Sequence, residues 1–332
     1  MGSRYDLELD KVVHEVKRKK CKRIVIQMPD GLMAHALMVS AQISQATGVE
    51  TIISLDTCYG ACDLATQAAS RLGADLIVHY GHSPWMTKSS IPTLYIEAFS
   101  SADVSPLLPK TIAFLKGGKR IGLLSTVQYI HELGKTEEFL KKKGFEVFIG
   151  KASGRVSHAG QVLGCDYSSA TSISNKVDKF LLIGAGEFHS IGIALETRKE
   201  CIVVDEYSGS VFTTKELLQR FLRSRYACII EARNANRFGV IIGLKYGQLN
   251  LSEAQRARKK LMDSGRTVTM FCVDDLDPER LNYIDGIEAF VVVACPRIAI
   301  DDAPRLKKPT LTPEELNVML SDESLQSYLA PS

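Results

Sequence analysis

A strand-and-helix pattern that occurs three times is the feature that most constrains the fold of this 332-residue chain. Each occurrence opens with a helical pattern and continues with short runs of Val, Ile and Leu that are separated by further helical patterns. Apolar runs without polar alternation are typical of strands buried on both faces of a sheet. Strands that alternate with helices indicate parallel pairing. We therefore expect an α/β protein with three similar Rossmann-like parallel-sheet domains.

The pattern places these α/β domains at residues 1–102, 103–209 and 210–332. The opening strands are predicted at 23–27, 120–125 and 238–244, the second strands at 50–55, 146–149 and 267–272, and the third strands at 76–79, 179–183 and 289–294. Fourth strands are predicted at 93–96 and 201–204. After Asp302 the chain is expected to leave the core and to end in a short helix over 313–321.

Composition and charge narrow the functional class. Hydrophobic residues make up 45% and charged residues 24% of the chain, which is typical of a globular protein. The net charge of +3 is too small to indicate a nucleic-acid partner. The basic run 17–23 is interpreted as a solvated helix end, with a docking patch for an acidic partner as the alternative. No hydrophobic leader or long apolar run is present, so we expect no membrane association and a cytoplasmic location.

Three cysteines lie near the ends of predicted strands, one in each domain: Cys62, Cys165 and Cys295. Ligands of open α/β sheets sit beyond the carboxyl ends of the strands. Three domains that face a common centre would therefore bring these cysteines together. Three thiolates can hold a 4Fe-4S cluster and leave one iron open, because such a cluster normally takes four cysteine ligands. The chain is thus predicted to be an iron–sulfur enzyme.

Cys58 is the rival of Cys62 as the first ligand, since it lies four residues earlier. The common CxxxCxxC radical motif is absent, because its third position is Ala65. The turn at Cys62 is expected to precede a helix whose N-terminal amides stabilise a thiolate. The other cysteines are interpreted as packing residues: Cys21, Cys201, Cys228 and Cys272.

Three further loops follow strands and could contact a small molecule, with ordinary turns as the alternative: 27–31, 79–83 and 184–189. The two histidines of HYGHS suggest a metal site, but no third nitrogen ligand has matching spacing, so polar contact with a ligand is the other interpretation. Gly184 and Gly186 resemble part of a dinucleotide loop, but His189 stands where glycine is expected. A nicotinamide cofactor is therefore not expected.

The motifs DTCYGACD, LIVHYGHSPW, VLGCDY and VACPRIAIDD, in this order, resemble the radical enzymes of the first step of diphthamide biosynthesis, in their archaeal homodimeric form. The resemblance implies three domains in a pseudo-three-fold arrangement around a central 4Fe-4S cluster held by Cys62, Cys165 and Cys295. It also implies that S-adenosylmethionine binds the open iron. Its 3-amino-3-carboxypropyl group would be transferred to a histidine of translation elongation factor 2, with an electron donor as a further partner.

On this basis we expect the strand-end loops to bind S-adenosylmethionine, and we assign no catalytic residue beyond the cluster. Arg297 is expected to pair with the carboxylate of S-adenosylmethionine. The expected contact residues are Gln27, Asp30, Gly31, Gly81, His82, Ser83, Gly184, Gly186, His189 and Arg297.

Other functional classes stay open at this point. The first is a quinolinate synthase-like dehydratase, which also resembles a three-fold α/β protein with a three-cysteine cluster. HYGHS and CPRIAIDD disfavour it. The second is a non-catalytic partner subunit that bears or supports a cluster, and three candidate ligands argue against a mere scaffold. A protein whose thiols only pack in the core is the third.

Overall fold

The computed structural model describes residues 4–85, 90–184, 186–301 and 305–321. The chain divides into two compact units, Met1–Glu216 and Leu217–Ser332. In the described residues there are three sheets, two in the first unit and one in the second. The predicted α/β class with three sheets is confirmed, whereas the division into three domains stays a prediction.

The eleven predicted strands are present, to within two residues at each end, and β9 and β13 were not predicted. The first sheet contains β1 Arg23–Gln27, β2 Glu50–Ile53, β3 Leu76–Tyr80 and β4 Thr93–Ile96. The second sheet contains β5 Arg120–Ser125, β6 Glu146–Phe148, β7 Lys179–Ile183, β8 Cys201–Asp205 and β9 Ser210–Thr213. The third sheet contains β10 Arg237–Gly243, β11 Thr267–Val273, β12 Ala289–Val293 and β13 Thr310–Leu311.

The same strand order occurs in all three sheets. The first sheet has the order β2-β1-β3-β4, the second β6-β5-β7-β8-β9 and the third β11-β10-β12-β13. Every pair is parallel except β8 with β9, which is antiparallel and was not predicted. In each sheet the opening strand lies between the second and third strands, so their carboxyl ends share one edge. This edge is where the sequence places its candidate site residues.

Helices connect the strands and cover the sheets. They are α1 Leu9–Lys19, α2 Asp30–Met33, α3 Ala36–Thr47, α4 Thr66–Arg71, α5 Leu108–Phe114, α6 Leu133–Lys142, α7 Ser168–Thr171, α8 Glu187–Thr197, α9 Lys215–Arg233, α10 Leu251–Asp263, α11 Pro278–Asn282, α12 Pro296–Asp301 and α13 Pro313–Leu320. Two 3₁₀ segments cover Val127–Glu132 and Ser174–Lys176. Among the described helices, none is both long and apolar enough to cross a membrane.

The central strands of each sheet are buried, as their continuous apolar runs predict. In the first sheet, Ile24 and Ile26 of β1 share a core with Val39 and Ile43 of α3, and all four side chains are inaccessible to solvent. Burying one such side chain stabilises a fold by about 1.5–3 kcal/mol. This packing makes the sheets firm supports for the loops at their edges.

The C-terminal segment differs from the prediction, because it returns to the core instead of leaving it. Strand β13 pairs with β12, and Leu316 of α13 is 1% exposed. A reciprocal capping box starts α13: Thr312 Oγ1 accepts from the Glu315 amide, and the Glu315 carboxylate accepts from the Thr312 amide. The predicted short helix is therefore present, and it completes the third sheet's core.

Candidate functional site

The turn that carries Cys62 follows β2 at the edge of the first sheet. Cys58 is buried and Cys62 is half-buried. The carboxylate of Asp63, itself buried, accepts a hydrogen bond of 3.2 Å from the Tyr59 amide and closes the turn. Helix α4 begins only at Thr66 and has six residues. The predicted tight turn is thus present, and a helix follows it after Leu64 and Ala65. Stabilisation of a Cys62 thiolate by the amides of this helix stays a prediction.

Gln27 and His79 are register partners at the ends of β1 and β3. The Oε1 atom of Gln27 accepts a 3.1 Å hydrogen bond from the Ala65 amide and lies 2.9 Å from Nδ1 of His79. The Nε2 atom of Gln27 donates to the Asp63 carbonyl at 2.7 Å. Because Oε1 accepts from a backbone N–H, its orientation is fixed, and Nδ1 of His79 must be the donor. Gln27 therefore orients His79 and ties it to the Cys62 turn.

A chain of polar side chains continues from His79 to His82. Nε2 of His79 lies 3.0 Å from Nδ1 of His82. Complete burial lowers the pKa of His79 well below its usual value, and the neighbouring His82 lowers it further. His79 is thus neutral and its Nε2 accepts. The sulfur of Cys58 and a ring nitrogen of each histidine all lie within 4.8 Å of one another.

The loop 27–31 packs against the loop after β3. Asp30 and Gly31 begin α2 and are exposed. Gly81 has φ +86°, and a Cβ there would lie 2.9 Å from Cγ of Pro29. Glycine is required at this position, both for the backbone angle and for the close approach. The two loops that the sequence singled out separately are therefore neighbours.

The loop after β3 also contacts the second sheet, within the first unit. The buried Ser83 hydroxyl and Gln161 Nε2 are 3.0 Å apart, with the amide as donor. The Ser157 hydroxyl donates to the Pro84 carbonyl at 3.1 Å. These contacts join the HYGHS loop to the segment that leads to Cys165.

Cys165 is exposed, in a segment that passes the carboxyl end of β5. The Val162 amide donates to the Ser125 carbonyl at 3.0 Å and places this segment at the sheet edge. Nη1 of Arg155 lies 3.4 Å from Sγ of Cys165, and its guanidinium carbon lies 4.7 Å from the centroid of the Trp85 ring. Arg155 therefore links Cys165 to the ring of Trp85, which follows the HYGHS motif.

The glycine loop after β7 lies where it was predicted. Gly184 has φ +155° and Gly186 has φ +93°, and α8 begins directly afterwards. His189 lies half-buried in the first turn of α8. A Cβ on Gly164 would lie 2.3 Å from the ring of Phe188, so α8 packs closely against the residue before Cys165.

In the second unit, Cys295 lies two residues after β12 and directly before α12. Cys295 is buried and Arg297 is half-buried in the first turn of this helix. Arg225, which is 2% exposed, donates to the Ala299 carbonyl of α12 at 3.0 Å. The same guanidinium makes a two-bond ion pair with the Glu315 carboxylate, at 2.7 and 2.6 Å. Arg225 thereby anchors the helix that follows Cys295.

The four cysteines interpreted as packing residues differ in their burial. Cys201 is fully buried on β8, whereas Cys21 and Cys228 are half-buried. Burial raises the pKa of the Cys228 thiol. Cys272 is exposed, because β11 is an edge strand that leaves this side chain in solvent. The packing interpretation is thus confirmed for Cys201 and wrong for Cys272.

Sequence reasoning missed Arg155, Gln161 and Arg225. Each acts on a residue that is distant along the chain or in an irregular segment, so no local spacing identifies it. The Gln27–His79 pair did carry a signal: each is a polar residue near the end of an apolar strand run, and these strands were predicted as neighbours.

Comparison with known proteins identifies the family. The family model described as putative diphthamide synthesis protein matches residues 28–329. The chain is 37% identical over 317 residues to 2-(3-amino-3-carboxypropyl)histidine synthase of Pyrococcus horikoshii, covering 95% of this chain and 91% of that one. It is 31% identical to subunit 1 of the same synthase from Kluyveromyces lactis, covering 98% of this chain and 78% of that one.

A solved structure agrees with these matches. The crystal structure of Dph2 from Pyrococcus horikoshii with a 4Fe-4S cluster superposes with a TM-score of 0.87 at 37% identity. The superposition covers 95% of this chain and 90% of that one. The fold and nearly the whole length are thus shared, and the chain belongs to the diphthamide synthesis protein family.

Proposed function

We propose that this chain is a 2-(3-amino-3-carboxypropyl)histidine synthase that catalyses the first step of diphthamide biosynthesis. The observation that carries the proposal is the match over 95% of the chain to the synthase of Pyrococcus horikoshii. The substrates are S-adenosylmethionine and a histidine of translation elongation factor 2. The bond between sulfur and the methionine γ-carbon breaks, and a bond forms to the imidazole carbon between the ring nitrogens. Methylthioadenosine and one proton are released.

The proposed cofactor is a 4Fe-4S cluster on Cys62, Cys165 and Cys295. The donor set fits this group, since each sulfur lies past the carboxyl end of strands in its own sheet and one has a guanidinium beside it. Three thiolates leave one iron for a small molecule. When bound, the cluster would supply the electron for carbon–sulfur cleavage and would regain one as the imidazole carbon loses its proton, and the protein would supply orientation and electrostatics.

The strand-end loops are the proposed binding surface for S-adenosylmethionine. The loops 27–31 and 81–83 are packed together, which supports a shared role. Gln27 is buried and holds His79, so its proposed part is to fix the shape of this surface. Gly184, Gly186 and His189 would contribute from the second sheet. Arg297 would pair with the substrate carboxylate, because a guanidinium can form two parallel hydrogen bonds with it.

The proposed partners are elongation factor 2, an electron donor and a second copy of this chain. The archaeal homodimeric form, which the sequence resembles, supports the homodimer. Action on a translation factor supports a cytoplasmic location. No nucleic-acid contact is proposed, since the net charge is only +3.

Product analysis tests the proposed activity. The protein is reconstituted anaerobically with iron and sulfide, reduced, and incubated with S-adenosylmethionine and elongation factor 2. We expect methylthioadenosine, together with elongation factor 2 heavier by one 3-amino-3-carboxypropyl group. Deoxyadenosine as the product would contradict the proposed cleavage. Neither product from a verified intact cluster would contradict the activity as a whole and favour a dehydratase or a partner subunit.

A further inference from the structure

Three potential metal ligands outside the proposed cluster set lie together in the first unit. They are Cys58, His79 and His82, and one ligand atom of each lies within 4.8 Å of the other two. Cys58 is 8% exposed, His79 is fully buried and His82 is half-buried. Thiolate sulfur and imidazole nitrogen are the donors that zinc and related divalent transition metals take in proteins.

The hydrogen bonds around His79 prepare one ring nitrogen for a metal. Gln27 Oε1 accepts from the Ala65 amide, so it also accepts the Nδ1 proton of His79. The lone pair of His79 is therefore on Nε2, which is the atom directed at His82. Metal-binding histidines typically donate their other ring N–H to an oxygen in this way, which fixes the tautomer and the ring orientation.

The spacing of the two rings is close to that of a bound pair. Nε2 of His79 and Nδ1 of His82 are 3.0 Å apart. Two nitrogens that bind one tetrahedral zinc at about 2.0–2.1 Å lie about 3.3 Å from each other. The backbone turn at Gly81, with φ +86°, brings His82 back towards His79. After a small outward shift of the His82 ring, a metal ion could thus take the place of the hydrogen that lies between the two nitrogens.

We propose that Cys58, His79 and His82 form a mononuclear site for a divalent transition metal, with zinc as the preferred ion, separate from the iron–sulfur cluster. Binding releases the thiol proton of Cys58 and shifts the proton of His82 from Nδ1 to Nε2. Three protein ligands leave the fourth position to water or to another small ligand. The ion would hold the turn that carries Cys62 against the end of β3. This proposal does not depend on the proposed synthase activity, but it rests on the proposal that Cys62, and not Cys58, is the first ligand of the cluster.

Zinc content and zinc K-edge X-ray absorption of the anaerobically reconstituted protein test the site. The K-edge of iron lies at lower energy than that of zinc, so the iron of the cluster does not interfere with the zinc signal. We expect about one zinc per chain, coordinated by one sulfur, from Cys58, and by two nitrogens, from His79 and His82. A shell of sulfur alone, or of oxygen alone, would overturn the proposal. This measurement needs no variant, so it does not depend on how any substitution folds.

Variants locate the ion. Cys58→Ser and His82→Gln should each lose the zinc while keeping iron, whereas Cys62→Ser should lose iron and keep the zinc. Cys21→Ser, a half-buried cysteine elsewhere in the first unit, is the matched control and should keep both. Gln27→Leu should weaken zinc binding about 10- to 100-fold, as loss of an orienting partner does. Zinc that persists in both Cys58→Ser and His82→Gln, or that disappears only in Cys62→Ser, would overturn the assignment.

Discussion

Cys62 and Cys295 follow strands of two sheets that share one strand order, yet the chain holds them in different ways. Cys62 lies in a turn that the Asp63 carboxylate closes and that the Gln27 amide ties to His79. Cys295 lies directly before a helix that the buried cation of Arg225 anchors. The sheet is repeated, but the interactions that position the cysteine differ between the two sheets. The network at Cys62 includes a potential metal ligand, His79, whereas the interaction at Cys295 is a buried ion pair with no such ligand.

The largest effect on stability is expected from removing the buried ion pair between Arg225 and Glu315. Arg225→Met leaves the Glu315 carboxylate buried without its cation, which should lower the free energy of unfolding by about 3–5 kcal/mol. Urea denaturation measures this change. Adding Glu315→Gln should restore much of it, because glutamine keeps the capping box of α13.

Arg237 provides the control for that experiment. It pairs with Glu288 at 2.9 Å in the same unit, but both side chains are exposed. Arg237→Met should therefore cost no more than about 1 kcal/mol. Equal losses in the two variants would contradict the anchoring role of Arg225.

A smaller effect is expected in the loop that carries His82. Gly81→Ala places a side chain at φ +86° and 2.9 Å from Pro29. Gly117→Ala has the same φ of +86° but meets nothing within 4 Å, so it isolates the backbone strain. We expect a loss of about 1–2 kcal/mol for Gly117→Ala from strain alone. Gly81→Ala should cost about 1–3 kcal/mol more through overpacking. Equal unfolding midpoints would contradict the close packing of the two loops.

The smallest free-energy change concerns substrate binding in the second unit. Arg297→Ala should raise the KM for S-adenosylmethionine about 10- to 100-fold, since a hydrogen bond to a charged group contributes about 1.5–3 kcal/mol. The iron content should stay unchanged. Loss of iron in this variant would instead give Arg297 a structural role at Cys295. An unchanged KM would contradict the pairing of Arg297 with the carboxylate of S-adenosylmethionine.

The sheets could be predicted because continuous apolar runs report burial on both faces. Strands β1 and β5 were placed to the residue for this reason. Strand β13 has only two residues and depends on pairing with β12, so no local pattern reveals it. The antiparallel β9 likewise depends on its partner β8.

The candidate site was predictable only in part. Strand ends identified the loops, and the register of β1 and β3 then places Gln27 beside His79. The burial of Arg225 was not visible, because its partner Glu315 lies 90 residues away along the chain. The proximity of Cys58 to His79 and His82 was also hidden, since a cysteine and two histidines from separate segments show no ligand spacing.

Four single variants test whether each sheet supplies one cluster ligand. Their iron and sulfide content is measured, together with the electron paramagnetic resonance spectrum after reduction. We expect that Cys62→Ser, Cys165→Ser and Cys295→Ser each lose the 4Fe-4S signal and that Cys58→Ser keeps it. A cluster that survives in Cys62→Ser and disappears in Cys58→Ser would contradict the assignment of the first ligand. A cluster that survives in Cys165→Ser or Cys295→Ser would contradict the central claim that each sheet supplies one ligand.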